Sequence, residues 1–290
     1  MTRLAACQYA IELHKTWDAY VDHLQGLCAE AAEAGAQLLL LPEYAGLVLS
    51  GLLPVQQRGD LKASIAGIQP LIEPWKALCE RIARRWGVYL QPGSLPVQDS
   101  DGRYRNRAWL FGPEGELGHQ DKLMMTRFER EQWDIAPGDG LKVFDTQLGR
   151  LGILICYDNE FPMLARRLAE GGADLILAPS CTDTEAGYHR VRIGAQARAL
   201  ENQIAVLQSP TVGLAAWSQA LDENIGRAGL FVPPDHGMPK DGVVALSTEL
   251  DPAGSQWLIC DVDLAAVRRV REQGQVFTRR DWPEQFERSL

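Results

Sequence analysis

The sequence lacks a long hydrophobic run. Its most apolar stretches, Gln37 to Leu41 and Leu151 to Cys156, fall far below the ~20 residues that a helix needs to cross a bilayer. An excess of positive charge is also lacking, because 29 lysines and arginines stand against 38 aspartates and glutamates, a formal net charge of −9. Such a chain repels phosphate backbones and anionic lipid headgroups. We therefore expect neither a membrane nor a nucleic acid as a partner.

Paired cysteines and clustered histidines are lacking as well. No two cysteines are spaced as a CxxC pair, and the histidines are too scattered along the chain to complete a zinc site. The segment Met1 to Ala10 has no continuous apolar run of the kind that marks a signal peptide. We expect a cytoplasmic protein without a metal site, whose reduced and mostly buried thiols are Cys7, Cys28, Cys79, Cys156, Cys181 and Cys260.

The composition is that of an ordinary globular chain. Apolar residues make up 46% and charged residues 23% of the 290 residues, which excludes disordered and fibrous classes. No linker, repeat or change in composition divides the chain, so we expect a single domain over residues 1–290. A polar C-terminal tail, about residues 275–290, carries Trp282 and Phe286, and we expect it to pack on a partner subunit.

Strands and helices alternate along the chain. The pattern predicts a strand at Leu4 to Tyr9, a helix from Thr16 to Glu33 and a strand at Gln37 to Leu41, which form a βαβ unit with parallel strands. Later helix and strand pairs repeat this order, whereas Asn106 to Phe111 and Glu116 to Lys122 flank a turn and predict an antiparallel hairpin. Several strands are apolar throughout, so both of their faces should be covered. We expect an α/β fold with mixed sheets inside and helices outside.

Two charged side chains follow predicted strands, at the edge where α/β folds bind their ligands. Glu43 comes after the apolar strand that ends at Leu41, and partial burial there would raise its pKa toward the range of a general base. Lys122 ends the second strand of the hairpin, where an ammonium could stabilise an oxyanion. A loop carboxylate and a solvated surface lysine are the ordinary alternatives.

A cysteine occupies a similar position later in the chain. Cys156 ends the apolar segment that begins at Leu151, and Pro162 suits the first turn of a following helix. Helix amides and a nearby ammonium favour the thiolate, so we expect a lowered thiol pKa here. The alternative is a thiol packed in the core, and we expect the remaining cysteines to be of that kind. Cys181 is the exception. It follows the strand ending at Ser180 and is a candidate to line the same cleft.

Three segments thus carry a Glu, a Lys and a Cys, in that order: LLLLPEY, HQDKLMMTRFER and GILICYDNEFP. They resemble the three signature motifs of the nitrilase superfamily, the carbon–nitrogen hydrolases. RLAACQ near the start and residues 196–202 are also similar to that family, so the resemblance covers nearly the whole chain. It implies a triad of Glu43, Lys122 and Cys156 on a four-layer αββα sandwich with mixed sheets, which associates as an αββα–αββα homodimer or a higher homo-oligomer.

The resemblance also implies a second glutamate after the lysine. Lys122 to Arg130 is similar to the KLMxTxxER pattern of true nitrilases, which favours Glu129. Glu131, followed by Gln132 and Trp133, instead resembles the Glu-x-Trp of aliphatic amidases and stays the second choice. Glu129 would orient the substrate or Lys122.

The activity implied is that of an amidase-like hydrolase that acts on small amides through a cysteine thioester. Glu43 would serve as acid and base, Lys122 and the backbone N–H of Tyr157 would hold the oxyanion, and Cys181 would contact the substrate. Cys156-Tyr157-Asp158 is more similar to amidases and carbamoylases than to nitrilases, which tend to have Cys-Trp-Glu. The scheme needs neither a cofactor nor a metal.

Several alternatives to a simple amidase stay open. Within the superfamily the chain could hydrolyse an N-carbamoyl amine or a nitrile, or it could transfer the acyl group to an amine. A non-catalytic binding or scaffold protein of the same fold is the alternative from another class. A Cys–His protease is poorly supported, because the histidines stand in no recognisable relation to Cys156.

Overall fold

The structure, a computed structural model, describes residues 1–288. Its strands form two mixed sheets, which are joined where Tyr9 pairs with Thr211. The first sheet contains, in order, β4 (Ser94–Gln98), β5 (Tyr104–Gly112), β3 (Tyr89–Pro92), β2 (Leu38–Leu41), β1 (Thr2–Ala10) and β15 (Gln256–Val262), with β6 (Gly115–Asp121) and β7 (Ile135–Ala136) also paired to β5. The second contains β8 (Val143–Thr146), β9 (Gly149–Ile153), β10 (Leu175–Ser180), β11 (Ala205–Leu214), β13 (Gly229–Phe231) and β14 (Val243–Leu246), with β12 (Glu223–Asn224) paired to β11.

Helices cover the outer faces of both sheets. The α-helices are α1 (Trp17–Glu33), α2 (Val55–Arg58), α3 (Leu61–Gly67), α4 (Ile72–Trp86), α5 (Pro162–Glu170), α6 (Glu185–Asn202), α7 (Leu264–Gln273) and α8 (Thr278–Asp281). Short 3₁₀ segments span Ala45–Leu52, Gln69–Leu71, Cys156–Glu160 and Trp282–Glu287, and a π-helix spans Glu129–Trp133. None of the helices in residues 1–288 combines the length and the apolar character that crossing a bilayer requires.

Three hydrophobic cores separate four layers. In β2, Leu39 and Leu41 face α1 and α4, whereas Leu38 and Leu40 face the second sheet, because side chains alternate along a strand. The side chains of strand β10 alternate in the same way. One set lies between the two sheets, and the other set faces α5 and α6. The predicted four-layer αββα sandwich with mixed sheets is therefore confirmed.

The predicted helices and strands lie within a few residues of the observed ones. Thr16 caps α1, because its hydroxyl oxygen accepts a hydrogen bond of 3.2 Å from the backbone N–H of Ala19. The hairpin of β5 and β6 forms as predicted. Among the described residues no two cysteines are bonded to each other, and all but Cys181 are buried, as predicted.

The C-terminal tail contacts helices of its own chain. The guanidinium of Arg166 in α5 donates a 2.8 Å hydrogen bond to the carbonyl of Arg279 and lies 5.2 Å from the ring centre of Trp282. Phe286 stays exposed. Packing of this tail on a partner subunit stays a prediction, and residues 289 and 290 of the tail lie outside the described residues.

Strand ends position the candidate side chains. β2 ends two residues before Glu43, β6 ends directly before Lys122, and β10 ends directly before Cys181. β9 ends three residues before Cys156, slightly earlier than predicted, although the backbone N–H of Leu154 still bonds to the neighbouring strand β10. The ends of these strands thus bring Glu43, Lys122, Cys156 and Cys181 to one region of the fold.

Candidate active site

Lys122 lies between two glutamates in the interior of the protein. Its Nζ atom is 2.7 Å from Oε1 of Glu43 and 2.6 Å from Oε2 of Glu129. Burial by itself lowers the pKa of Lys122, but the two carboxylates outweigh it and hold that pKa well above its usual value. Lys122 is therefore a fixed cation at neutral pH.

The two candidate second glutamates occupy different environments. Glu129 is buried beside Lys122, whereas Glu131 is exposed and forms a 2.8 Å ion pair with Arg127 on the surface. Burial alone would raise the pKa of Glu129, but Lys122 and neighbouring hydrogen-bond donors lower it. The structure thus brings Glu129 into the site and leaves Glu131 outside it.

Donors that sequence reasoning did not identify surround the two carboxylates. The side-chain amide of Asn106, on β5, donates to Glu43 at 2.8 Å and to Glu129 at 3.4 Å. The hydroxyl of Tyr44 donates to Glu129 at 2.5 Å, and the backbone N–H of Thr126 donates to it at 2.9 Å. These contacts satisfy the buried oxygens, which would otherwise destabilise the fold.

Glu43 connects Lys122 to the loop that carries Cys181. Its Oε2 atom accepts a 3.0 Å hydrogen bond from the backbone N–H of Cys181, whose carbonyl oxygen lies 3.6 Å from the sulfur of Cys156. Burial raises the pKa of Glu43 as predicted, partly offset by Lys122. Glu43 therefore contacts the cation directly and the cysteine loop through Cys181, and its proton affinity is raised.

Cys156 begins the 3₁₀ segment that follows β9, in the left-handed region with φ of +50°. A non-glycine residue adopts this conformation only where the surrounding structure holds it there. The Sγ atom lies 3.6 Å from the carbonyl oxygen of Cys181, at the wall of a cavity. Backbone contacts of Cys181 thus hold both the thiol and Glu43.

The predicted lowering of the Cys156 thiol pKa is wrong. Burial raises this pKa well above its usual value, the negative charge of Glu43 adds to the rise, and the opposing effect of Lys122 is smaller. The expectation counted the ammonium and the helix amides but not the removal of the thiol from water. In the resting protein the sulfur is a neutral thiol next to a carboxylate.

Asp158 ties the lysine segment to the cysteine segment. Its carboxylate accepts hydrogen bonds from the backbone N–H groups of Leu123 at 3.1 Å, Met124 at 2.8 Å and Ile155 at 3.1 Å. Burial raises the pKa of this carboxyl to about 7, against the opposing effect of Lys122 and the three donors. Because Leu123 and Ile155 adjoin Lys122 and Cys156, this side chain sets the separation of the two groups.

The site opens into a cavity of about 590 Å³. Glu43, Lys122, Glu129 and Cys156 lie on its wall, and so do the predicted Tyr157 and Cys181. The thiol of Cys181 donates to the Asn224 side-chain oxygen at 3.4 Å, while its backbone contacts Glu43 and Cys156. Among the residues that the structure describes, no histidine lines this cavity.

Comparison with known proteins places the chain in a family. The carbon–nitrogen hydrolase family model matches residues 3–272. A probable hydrolase of Bacillus subtilis, YhcX, is 34% identical over 94% of this chain, which spans about half (52%) of that protein's length. The omega-amidase NIT2-B of Xenopus laevis is 30% identical over 93% of this chain and 92% of its own.

A solved structure shows the same fold. Nit3 of Saccharomyces cerevisiae, described as a member of branch 10 of the nitrilase superfamily, superposes with a TM-score of 0.70 at 20% identity over 93% of each chain. The resemblance read from three short motifs is thereby confirmed along almost the full length of the sequence. The chain belongs to the carbon–nitrogen hydrolase family of the nitrilase superfamily, and its predicted class, a hydrolase of C–N bonds other than peptide bonds, is confirmed.

Proposed function

We propose that the protein hydrolyses a small amide through a thioester on Cys156. The observation that carries this proposal is the position of Glu43, whose carboxylate contacts Lys122 and the backbone N–H of Cys181 and shares the wall of one cavity with Cys156. A neutral thiol becomes a nucleophile when an adjacent base removes its proton during attack. These contacts support general-base catalysis by Glu43 in the proposed triad.

In the first half of the reaction, the sulfur of Cys156 attacks the amide carbonyl carbon while Glu43 takes the thiol proton. The carbonyl oxygen becomes an oxyanion, which Lys122 and the backbone N–H of Tyr157 stabilise. Glu43 then gives its proton to the nitrogen, the C–N bond breaks, and ammonia or an amine leaves. The acyl group stays on the sulfur as a thioester.

In the second half, Glu43 takes a proton from water as the water oxygen attacks the thioester carbon. The C–S bond breaks, the proton returns to the sulfur, and the carboxylic acid leaves. Glu129 keeps the lysine charged and in place through the reaction. These residues complete the cycle without a cofactor.

An amide is favoured as the substrate over a nitrile for two reasons. The nucleophile is followed by Tyr157 and Asp158, as in amidases, and an omega-amidase is similar to nearly the whole chain. The cavity volume of about 590 Å³ is typical of sites for small molecules. N-carbamoyl amines, nitriles and acyl transfer to an amine remain as alternatives within the superfamily, and a non-catalytic scaffold remains as the alternative from another class.

Mass spectrometry of the protein after acid quenching and proteolytic digestion tests the mechanism. Incubation with a panel of small amides, N-carbamoyl amines and nitriles, followed by acid quenching, is expected to leave an added acyl mass on the peptide that contains Cys156, and none on Cys156→Ala. Product analysis with and without an added amine separates hydrolysis, which releases the acid, from acyl transfer, which forms a new amide. Turnover without any acylated peptide would contradict the thioester, and no turnover with the whole panel would favour the scaffold.

We further propose that the chain forms a homodimer or higher homo-oligomer through α5 and α6. Ile193 and Leu200, seven residues apart on one face of α6, are 61% and 46% exposed, and Met163 of α5 is exposed too. Light scattering of the protein and of Ile193→Asp is expected to show an oligomer and a monomer, respectively. The free cysteines support the further proposal that the protein acts in the cytoplasm.

A further inference from the structure

Three potential metal ligands meet where β1 leads into α1, away from the cavity. Glu12 and His14 lie in the connecting loop, and His23 lies on the second turn of α1. The rings of the two histidines are 4.6 Å apart between centres, and the Glu12 carboxylate is 4.0 Å from Nδ1 of His23. One ligand atom from each residue can be chosen so that all three lie within 4.8 Å of one another. The histidines are nine positions apart in sequence, so only the fold groups them.

The two histidines also have unsatisfied nitrogen atoms. His14 is only 8% exposed, and its Nε2 atom is buried without a hydrogen-bond partner among residues 1–288. Nε2 of His23 is also buried and has no hydrogen-bond partner within the same residues. A buried polar atom without a partner is costly, and native proteins rarely retain one that nothing occupies. Two such atoms on adjacent imidazoles leave both rings free to bind a common ligand.

We propose that Glu12, His14 and His23 bind a divalent transition-metal ion of the zinc class. Two imidazoles and a carboxylate form a set of donors suited to Zn²⁺, Co²⁺ or Ni²⁺ and unsuited to Mg²⁺ or Ca²⁺, which prefer oxygen ligands. Tetrahedral metal–ligand distances of about 2.0–2.2 Å place ligand atoms roughly 3.3–3.6 Å apart. The three ligand atoms must therefore move closer together, and Glu12, whose side chain is 51% exposed, has room to do so.

The site would support the fold and take no part in the reaction. None of its three residues lines the catalytic cavity. The backbone of His14 packs against the Ala45–Leu52 segment, since a Cβ atom on Gly51 would lie 2.9 Å from the carbonyl oxygen of His14. That segment begins two residues after Glu43. A metal here would fix the β1–α1 loop against the chain that follows the catalytic carboxylate.

Titration with Co²⁺ tests the proposal. The metal-free protein in a Cys156→Ala background, which removes the catalytic thiol as a competing ligand, is expected to bind one equivalent with visible bands of nitrogen and oxygen ligation. His23→Gln and Glu12→Gln, both at partly exposed positions that leave the core intact, should lower the affinity at least tenfold, whereas the exposed His236→Gln should not. His14→Gln is the stronger variant if it folds.

Thermal melting gives the second measurement. Zn²⁺ is expected to raise the melting temperature of the parent protein and to leave that of folded His23→Gln unchanged, because a ligand stabilises only the state that binds it. Stoichiometric Co²⁺ binding that survives His23→Gln and Glu12→Gln would overturn the site, as would no binding to the parent protein. Amide hydrolysis is not part of either readout, so failure here leaves the proposed function standing.

Discussion

Asn106 donates a 2.8 Å hydrogen bond to Oε1 of Glu43, the same oxygen that lies 2.7 Å from Lys122. A donor to a carboxylate stabilises its ionised form and so lowers its pKa. Burial acts in the opposite direction and raises the pKa of Glu43. Asn106 is therefore a positioning residue that helps to keep the proposed base ionised at neutral pH.

Replacing Asn106 by leucine removes this donor at nearly constant volume. The pKa of Glu43 should rise, so the acidic limb of the pH profile of kcat/KM should move to higher pH. A hydrogen bond to a charged group contributes about 1.5–3 kcal/mol, so kcat should fall roughly 10- to 100-fold. Rates measured across pH, with melting curves to check folding, test this. An unmoved acidic limb in a folded variant would show that Asn106 only fills space.

Glu129→Gln should disable the enzyme, whereas Glu131→Gln should not. Loss of Glu129 leaves Lys122 buried with Glu43 as its remaining anionic partner, and breaking a buried pair costs about 3–5 kcal/mol. We expect kcat/KM to fall at least about 100-fold on this scale. Glu131 forms an exposed ion pair with Arg127, and such a pair contributes about 0–1 kcal/mol to stability. Replacing Glu131 should therefore change the rate only slightly.

The paired variants also test the assignment of the second glutamate. Both are Glu→Gln changes two residues apart in one short π-helix, so general effects on that segment are matched. Steady-state kinetics and melting curves of the two proteins decide the matter. Equal losses of activity in both, or a larger loss in Glu131→Gln, would mean that the contacts of Glu129 do not serve the reaction.

Local sequence signals predicted the parts of the fold that are locally determined. The Thr16 cap, the apolar β2 strand and the hairpin each follow from residues next to one another, and the structure contains all three. The three candidate side chains of the triad stood out because each comes at or shortly after the end of a recognisable strand. Glu129 was favoured by the resemblance of its segment to the KLMxTxxER pattern, and the structure places it beside Lys122.

Contacts between distant residues were not predictable in this way. Asn106 is 63 residues from Glu43, and Tyr44 is 85 residues from Glu129, so neither has a local signal that separates it from an ordinary polar or aromatic residue. The thiol pKa was misjudged because burial depends on all layers of the fold at once. The grouping of His14 and His23 likewise depends on how one loop returns against α1.

The state of the Cys156 sulfur can be measured directly. Because burial and Glu43 raise its pKa, the resting enzyme should show no thiolate absorbance at neutral pH beyond that of Cys156→Ala, in which the other five cysteines are unchanged. Thiolate absorbance should appear in the difference spectrum only well above pH 9, the ordinary pKa of a cysteine thiol. A thiolate band at pH 7 would show that the sulfur is already ionised and that Glu43 is not needed to deprotonate it.

Asp158 offers the last test, because it holds Lys122 and Cys156 at a fixed separation. Asp158→Asn places an NH₂ group against a backbone N–H, and leaving such a donor unsatisfied costs about 1–3 kcal/mol. We expect a lower free energy of unfolding and slower turnover, whereas the matched surface change Asp145→Asn should alter neither, since that side chain is 83% exposed.

The pH dependence of the free energy of unfolding tests whether Asp158 titrates with a raised pKa. Burial raises the pKa of Asp158 from 3.8 to about 7. Between these values the unfolded chain ionises first and binds fewer protons than the folded one, so the wild-type protein loses stability as the pH rises. Asparagine does not titrate, so the stability advantage of the wild type over Asp158→Asn should be largest at low pH and shrink toward pH 7. Urea unfolding of both proteins at several pH values measures this difference, and a gap that widens with pH would mean that the three backbone donors hold Asp158 ionised.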